Sequence, residues 1–296
     1  MQMKSEPDEH LARAALYMTL SALLFSGMGA IVKFTSAHLP TEMVVFFRAA
    51  MGLAALMPWV LRDGWSLVRT TQLPMHLTRS LAGLAAMYCF FYAIAHLKLA
   101  DATLLNYSTP LFIPFIAWFW MRESVSPPVR VAIALGFVGV ALILKPGYAL
   151  FHPAALIGLA SGLLAAIAMV SIRRLSRTEP VTRIVFYFTL VSTVVSAVPL
   201  IWTWTPPSTE AFVLLTVMGV LATGAQLLMT RAYAHAPAAH VGPFSYLAVV
   251  FAAIIGWVLW EETPDIWSFA GAILVCLAGV WAIVQSQRRG PVAPDA

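Results

Sequence analysis

The chain has 296 residues, of which 60% are hydrophobic and only 10% charged, with a formal net charge of +5 and a mean hydropathy of +0.83. A soluble domain carries about 25% charged residues, so this chain cannot cover a water-facing surface and reads as an all-α integral membrane protein. The positive charge does not point to nucleic acid, because the basic residues sit in short loops between apolar runs, as topology signals do.

Residues 1–10, MQMKSEPDEH, are polar and acidic. They lack the basic region and small-residue cleavage site of a removable signal, so the first apolar run is expected to stay. A membrane-crossing helix needs about 20 largely apolar residues. Ten stretches meet this, at roughly 12–34, 41–61, 74–96, 101–121, 129–146, 153–172, 182–202, 210–232, 239–260 and 266–285. Residues 287–296 form a polar, Pro-containing tail. Cys89 and Cys276 both fall inside apolar runs and read as small buried hydrophobes.

Loop charge sets the expected orientation. With the N-terminus inside, the inner loops and ends hold Lys4, Arg13, Arg62, Arg69, Arg122, Arg130, Arg173, Arg174, Arg177, Arg183, Arg288 and Arg289, and the opposite side only Lys33, Lys98 and Lys145. That asymmetry places both termini in the cytoplasm and suits a bacterial inner membrane. Arg48, Arg79 and Arg231 lie within spans or at their ends.

The chain is internally duplicated. Tyr92–Glu123 lies without a gap on Arg231–Glu262, matching Ala93 to Ala232, His96 to His235, Tyr107 to Tyr246, Phe112 to Phe251, Trp118 to Trp257 and Glu123 to Glu262. Farther back, Lys33 meets Arg173, Pro40 meets Pro180, and Val44–Phe47 meets Ile184–Tyr187. The chain is therefore two five-span units, 11–147 and 152–286. Five is odd, so the second unit enters the membrane from the other side and the repeats are inverted. Inverted repeats are a recurrent plan of secondary transporters, with the substrate near the midplane between the halves. Such symmetry does nothing evident for a scaffold.

Three segments carry a resemblance to a known family. They are FFRAAMGLAAL (Phe46–Leu56), YAIAHLKLADATLLNYSTPLFIPFIAWFWMRE (Tyr92–Glu123) and AYAHAPAAHVGPFSYLAVVFAAIIGWVLWEE (Ala232–Glu262). The chain resembles a tandem pair of EamA domains of the drug/metabolite transporter superfamily. The resemblance implies a central cavity formed by spans one to four and six to nine, with spans five and ten peripheral. It also implies carriage of small organic solutes: amino acids, amino-acid-derived metabolites including metal-chelating ones, vitamins or nucleotide sugars. The usual direction in bacterial members is export, and uptake of a vitamin or nucleotide-like metabolite is the alternative. One departure is that Pro110 aligns with Val249, while the second half has Pro243 instead, so the kink need not be symmetric.

Polar groups deep in a membrane are costly and are functional candidates. Arg48 lies some seven residues into span two, opposite Phe188 in the duplication. Its readings are a forked bond to a substrate carboxylate or phosphate, or a structural role snorkelling outward or pairing with Glu42. Asn106 and Tyr107, with Ser108 and Thr109, form the most polar patch of span four. There Pro110 removes the donor that would bond the Asn106 carbonyl and kinks the helix, leaving either a ligand site or an interhelical bond. Tyr88 and Tyr92 share one face of span three. Gln226 aligns with Met87, and Ser245–Tyr246 with Asn106–Tyr107. These faces either line an aromatic, hydrogen-bonding cavity or simply pack. Lys33 near the outer end of span one either joins that lining or snorkels, and Glu123 and Glu262 read as terminal or gating markers. Gly158/Gly162, Gly136/Gly139 and Gly271/Gly279 are small-residue faces, and those of spans five and ten suggest a homodimer contact.

No cofactor or metal site is expected. All thirteen acidic residues lie in tails, loops or span ends, and the histidines also cluster at ends. A facilitator or exchanger is thus expected over a carrier with a buried proton relay. No G-x-x-x-x-G-K-[ST], H-E-x-x-H or G-x-S-x-G motif is present. An enzyme reading rests on His96 and Asp101 at acyltransferase-like spacing, and the short loop between them leaves no room for a substrate domain. A small-molecule carrier embedded in the bilayer, not an enzyme, is the expectation.

Overall fold

A computed structural model describes residues 7–64, 68–121, 127–144, 153–175, 178–235 and 242–287. They form helices without strands: α1 (Pro7–Ser36), α2 (Thr41–Asp63), α3 (Leu73–His96), α4 (Leu99–Asn106), α5 (Thr109–Met121), α6 (Pro127–Leu144), α7 (Pro153–Leu175), α8 (Val181–Ala197), α9 (Leu200–Thr203) and α10 (Thr209–His235). A 3-10 turn over Gly242–Tyr246, α11 (Leu247–Trp260) and α12 (Ile266–Gln287) complete the set. Five of the described helices, α1, α2, α3, α7 and α10, contain stretches long and apolar enough to cross a membrane by length and composition. The remaining apolar helices are shorter.

Local sequence explains the boundaries. Pro40 and Pro180 are matched in the duplication, and each precedes a helix. Their carbonyls accept from Met43 and Val44 and from Arg183 and Ile184, so each proline opens a helix without supplying the donor it lacks. At the other end of α2, Gly64 takes φ +53°, a conformation that favours glycine. Span seven is shorter than its apolar run suggests. It stops at Ala197, before Pro199, and resumes as the single turn α9.

Spans four and nine are both interrupted. Span four breaks between α4 and α5 around Tyr107–Ser108. Span nine changes from a 3-10 turn to α-helix between Tyr246 and Leu247, the positions that Tyr107 and Ser108 match. The prolines differ in position, yet the breaks coincide, so the interruption is more symmetric than the sequence suggests.

The most extensive contacts run between the repeats. Helix α1 packs on α10 and α11, while its counterpart α7 packs on α3, α4 and α5. Helix α2 packs on α8 and α10, α8 on α2 and α3, and α6 on α12. The halves interlock as an inverted repeat requires. Between membrane helices, close packing and hydrogen bonds replace the hydrophobic driving force. Ser21 Oγ donates to the Ala225 carbonyl at 2.8 Å and Ser26 Oγ to the Ala248 carbonyl at 2.9 Å, tying α1 to the second repeat. Ser161, the match of Ser21, accepts from Asn106 Nδ2 at 3.0 Å.

Candidate functional site

Two ends and a middle can be distinguished. An even number of spans puts both chain ends on one side, called here the near end. The far end holds the α1–α2, α3–α4 and α11–α12 connections.

At the far end the chain binds itself closed. Lys33 forms an ion pair with Glu262, with both side chains largely buried. Its Nζ also donates to the Leu97 carbonyl at 2.7 Å and lies 5.5 Å from the Trp260 ring centroid. The other Glu262 oxygen accepts from the Leu99 backbone N–H at 2.8 Å, placing a negative charge at the N-terminus of α4, where the helix dipole favours it. Lys98 Nζ donates to the Thr263 carbonyl at 2.6 Å. Glu261, at φ 56°, turns the chain so that Glu262 points back. Lys33 is therefore an ion-pair partner and not a snorkelling side chain, and Glu262 ties three connections together. Its match Glu123 lies outside the described residues.

The near end carries a second polar cluster. Glu179, in the α7–α8 turn, forms an ion pair with Arg183 and accepts from Thr70 Oγ1 at 2.5 Å. Burial alone would raise its carboxyl, but the Thr70 hydroxyl and the Arg183 guanidinium hold it below the usual carboxylate range. His76 is fully buried beside it, with Nε2 3.9 Å from Glu179, and lies against the Tyr187 ring with centroids 4.5 Å apart. Tyr187 Oη donates to the Val68 carbonyl at 2.6 Å. A hollow of ≈ 490 Å³ opens here, lined by Val68–Thr71, Thr178, Glu179 and Arg183.

Between these ends sit two arginines without an acidic partner among the described residues. Arg48 starts seven residues into α2 from the far end and Arg79 six residues into α3 from the near end, each about 10 Å deep at 1.5 Å per residue. Both turn toward the middle. Their guanidinium carbons lie 5.4 and 4.1 Å from the ring centroid of Phe188 on α8. Arg48 is 6% and Arg79 7% exposed, and Arg79 Nε has no hydrogen-bond partner among the described residues. Gly83 makes the Arg79 conformation possible. A Cβ there would collide with Nη1 of Arg79 and sit 3.0 Å from Phe188, so glycine one turn along α3 clears the path of the guanidinium. The expected alternative pairing of Arg48 with Glu42 does not occur.

The other candidates are dispersed. Tyr107 and Tyr246 do meet, with ring centroids 6.3 Å apart. They meet inside a packed cluster with Leu104, Leu111, Val249 and Val275, and Tyr246 presses on Gly279 of α12. The Asn106 carbonyl, expected to be freed by Pro110, accepts from Thr109 Oγ1 at 2.6 Å. Thr109 replaces the lost donor, so no open ligand group remains at that carbonyl. Pro110 itself is half-buried in the first turn of α5. Tyr92 stacks on His96 at 4.1 Å, and its carbonyl lies 2.8 Å from Nδ1 of the His96 ring. Tyr88 is half-buried and its hydroxyl has no partner among the described residues, whereas Gln226 and Ser245 are half-buried in α10 and the 3-10 turn. Gly139 abuts the Gly271 carbonyl, and Gly158 and Gly162 abut α4. The small residues thus serve contacts within one chain, and they supply no argument for a dimer.

Arg79 is the functional candidate that the sequence reading passed over. Its signal was present: a charge six residues inside an apolar helix, followed one turn later by glycine. Phe188 also had a signal, since it is the repeat match of Arg48. Matched residues touch where they straddle the pseudo-two-fold axis, as Arg48 with Phe188 and Tyr107 with Tyr246 do.

Comparison with known proteins agrees with this architecture. The chain is 36% identical over 271 residues to a pseudopaline exporter of Pseudomonas aeruginosa, covering 90% of this chain and 95% of that one. A riboflavin transporter of Brucella anthropi is 26% identical, over 85% of this chain and 90% of the relative. An S-adenosylmethionine uptake transporter of Rickettsia conorii is 25% identical, over 92% of each. A solved crystal structure shares the fold, with a TM-score of 0.67 and 20% identity, covering 94% of this chain and 98% of that one. The EamA-like transporter family matches residues 12–145 and 152–285. Spanning the membrane as two inverted repeats and carrying its single unpaired pair of described buried arginines at their junction, the chain belongs to the EamA-like transporter family.

Proposed function

We propose that this transporter exports a small amino-acid-derived metabolite bearing at least one carboxylate, a class that includes metal-chelating compounds, by alternating access across the bacterial inner membrane. The observation that carries the reading is Arg48, buried in α2 with no acidic partner among the described residues and turned toward the opposite repeat. An unpaired charge at such depth is maintained against a large desolvation penalty, and a visiting carboxylate offsets it. Export is supported by the greater similarity to the pseudopaline exporter than to the riboflavin and S-adenosylmethionine transporters. Cytoplasmic termini are supported by the loop charges, which make the near end cytoplasmic and the tied far end external.

The interlocked repeats supply the mechanism. Rocking one half against the other exposes the midplane to one side at a time, and the Lys33–Glu262–Leu99 contacts keep the external side shut while substrate loads. No carboxylate of the described residues lies at mid-span, so the driving force is assigned to the substrate gradient and the membrane potential. An inside-negative potential expels an anion, with about 2.3 kcal/mol per charge per 100 mV. Uptake of a vitamin or nucleotide-like compound is the competing direction, in line with the relatives of 25–26% identity.

The test is comparative metabolite profiling of cells and medium with and without the protein, followed by efflux assays of the metabolite found. Arg48→Ala is expected to lower efflux at least tenfold with unchanged amounts of folded protein in the membrane. Normal efflux by that variant removes Arg48 from the site. Loss of folded protein in proportion to efflux assigns it to structure.

A further inference from the structure

We infer that the Arg48–Phe188–Arg79 site takes a substrate with two anionic groups, a dicarboxylate or its equivalent, one group held by each guanidinium and the linking part of the molecule against the Phe188 ring. The inference rests on the transporter reading above and adds the second charge.

Two cations converge on one ring. The guanidinium carbons lie 5.4 and 4.1 Å from its centroid, so they are less than about 10 Å apart and repel each other across a medium of low dielectric. Neither has a hydrogen bond or ion pair with a described residue, and Nε of Arg79 is buried and unsatisfied. The described acidic residues that could neutralise them are committed elsewhere or distant in the fold. Glu179 is held by Arg183 and Thr70, and Glu262 by Lys33 and Leu99. A ring face compensates a desolvated cation only in part.

A single carboxylate leaves one arginine uncompensated. Two carboxylates satisfy both, each by the forked, planar pairing that guanidinium favours over ammonium. Succinate, glutarate and adipate are the simplest molecules that carry two such groups on a carbon chain. The apolar ring between the cations selects a substrate whose charges are separated by carbon. Ser192, one turn beyond Phe188 on α8, has a buried hydroxyl with no partner among the described residues and offers a neutral polar contact on the same helix. The charge count also bears on driving force. An anion carrying two charges responds to the membrane potential with the square of the singly charged distribution ratio.

The experiment uses the full chain in lipid nanodiscs. Succinate, glutarate and adipate are the dianion probes, butyrate and glutamine the singly charged and zwitterionic controls. Binding is read by calorimetric titration and by the rise in unfolding temperature. At least one dianion is expected to bind ten times or more tighter than butyrate, and Arg79→Gln is expected to reduce that preference to under about threefold (a tenfold change in affinity being 1.4 kcal/mol). Absence of a dianion preference in the unaltered protein, or its survival in Arg79→Gln, overturns the inference. Should Arg79→Gln not fold, Arg79→Lys decides: it keeps charge but loses the fork, so the preference must fall, and an unchanged preference counts against the site. Counterflow of the same probes in proteoliposomes separates the two readings. A dianion bound but not carried removes the transport reading and spares the site. Carriage without dianion preference does the reverse.

Discussion

Lys33 of α1 at the far end and the pair Arg48 of α2 and Arg79 of α3 are basic residues of neighbouring apolar spans, treated in opposite ways. Lys33 has a carboxylate, a carbonyl and an aromatic face. The arginines share one aromatic ring and nothing else among the described residues. The first has its partners supplied by the chain, and the proposed role of the second is to receive its partners from a substrate. Position in the span does not separate the two cases, since Lys33 and Arg48 both lie toward the far end. Satisfaction of their hydrogen bonds does.

The comparison can be broken most directly by giving the arginines a partner of their own. Phe188→Glu introduces a carboxylate at the point on which both guanidiniums converge. Transport is expected to fall to background, measured by counterflow, while the unfolding temperature holds or rises. Retained transport would mean that the arginines do not need to be vacant. A smaller effect is expected when the partnered charge is orphaned. Glu262→Gln or Lys33→Met alone leaves a largely buried charge unpaired and is expected to destabilise by about 3 kcal/mol. The double replacement is expected to recover most of that, because two apolar groups need no pairing. A double-mutant cycle on denaturant unfolding measures the coupling, and additive losses would reduce the pair to an incidental contact.

The smallest effect concerns Glu179. Its folded-state carboxyl lies below its unfolded value of about 4.3. The stabilisation it contributes is therefore complete above that pH and declines as pH falls through the folded value. The stability difference between the unaltered protein and Glu179→Gln should be constant near neutrality and shrink below about pH 4. A difference that instead changes between pH 6 and 8 would point to a group other than this carboxylate.

Much of the architecture was legible in the residues because a bilayer restricts the options. Apolar length marked the spans, and the odd length of the repeat required inversion. The match of Tyr107 to Tyr246 puts the two at equivalent positions of the repeats, and their ring centroids lie 6.3 Å apart. The surrounding packing was not anticipated, since whether an aromatic pair lines a cavity or fills one depends on the third helix. Here that helix is α12, whose Gly279 receives Tyr246. The polar patch before Pro110 proved similarly dependent on detail. A missing backbone donor is visible in a sequence, while the rotamer that brings the Thr109 hydroxyl onto the Asn106 carbonyl is not.

The sequence by itself determined the membrane class, the ten-span plan, the duplication and Arg48 as an intramembrane charge, because each follows from composition, period or an ungapped match. Only the tertiary structure decided which charges are satisfied. Lys33 finds Glu262 across more than two hundred residues, and Arg79 reaches Phe188 because Gly83 clears its path. Such pairings depend on distances between helices that no single helix encodes, so the difference between a structural cation and a vacant one emerges only when the two repeats are interlocked.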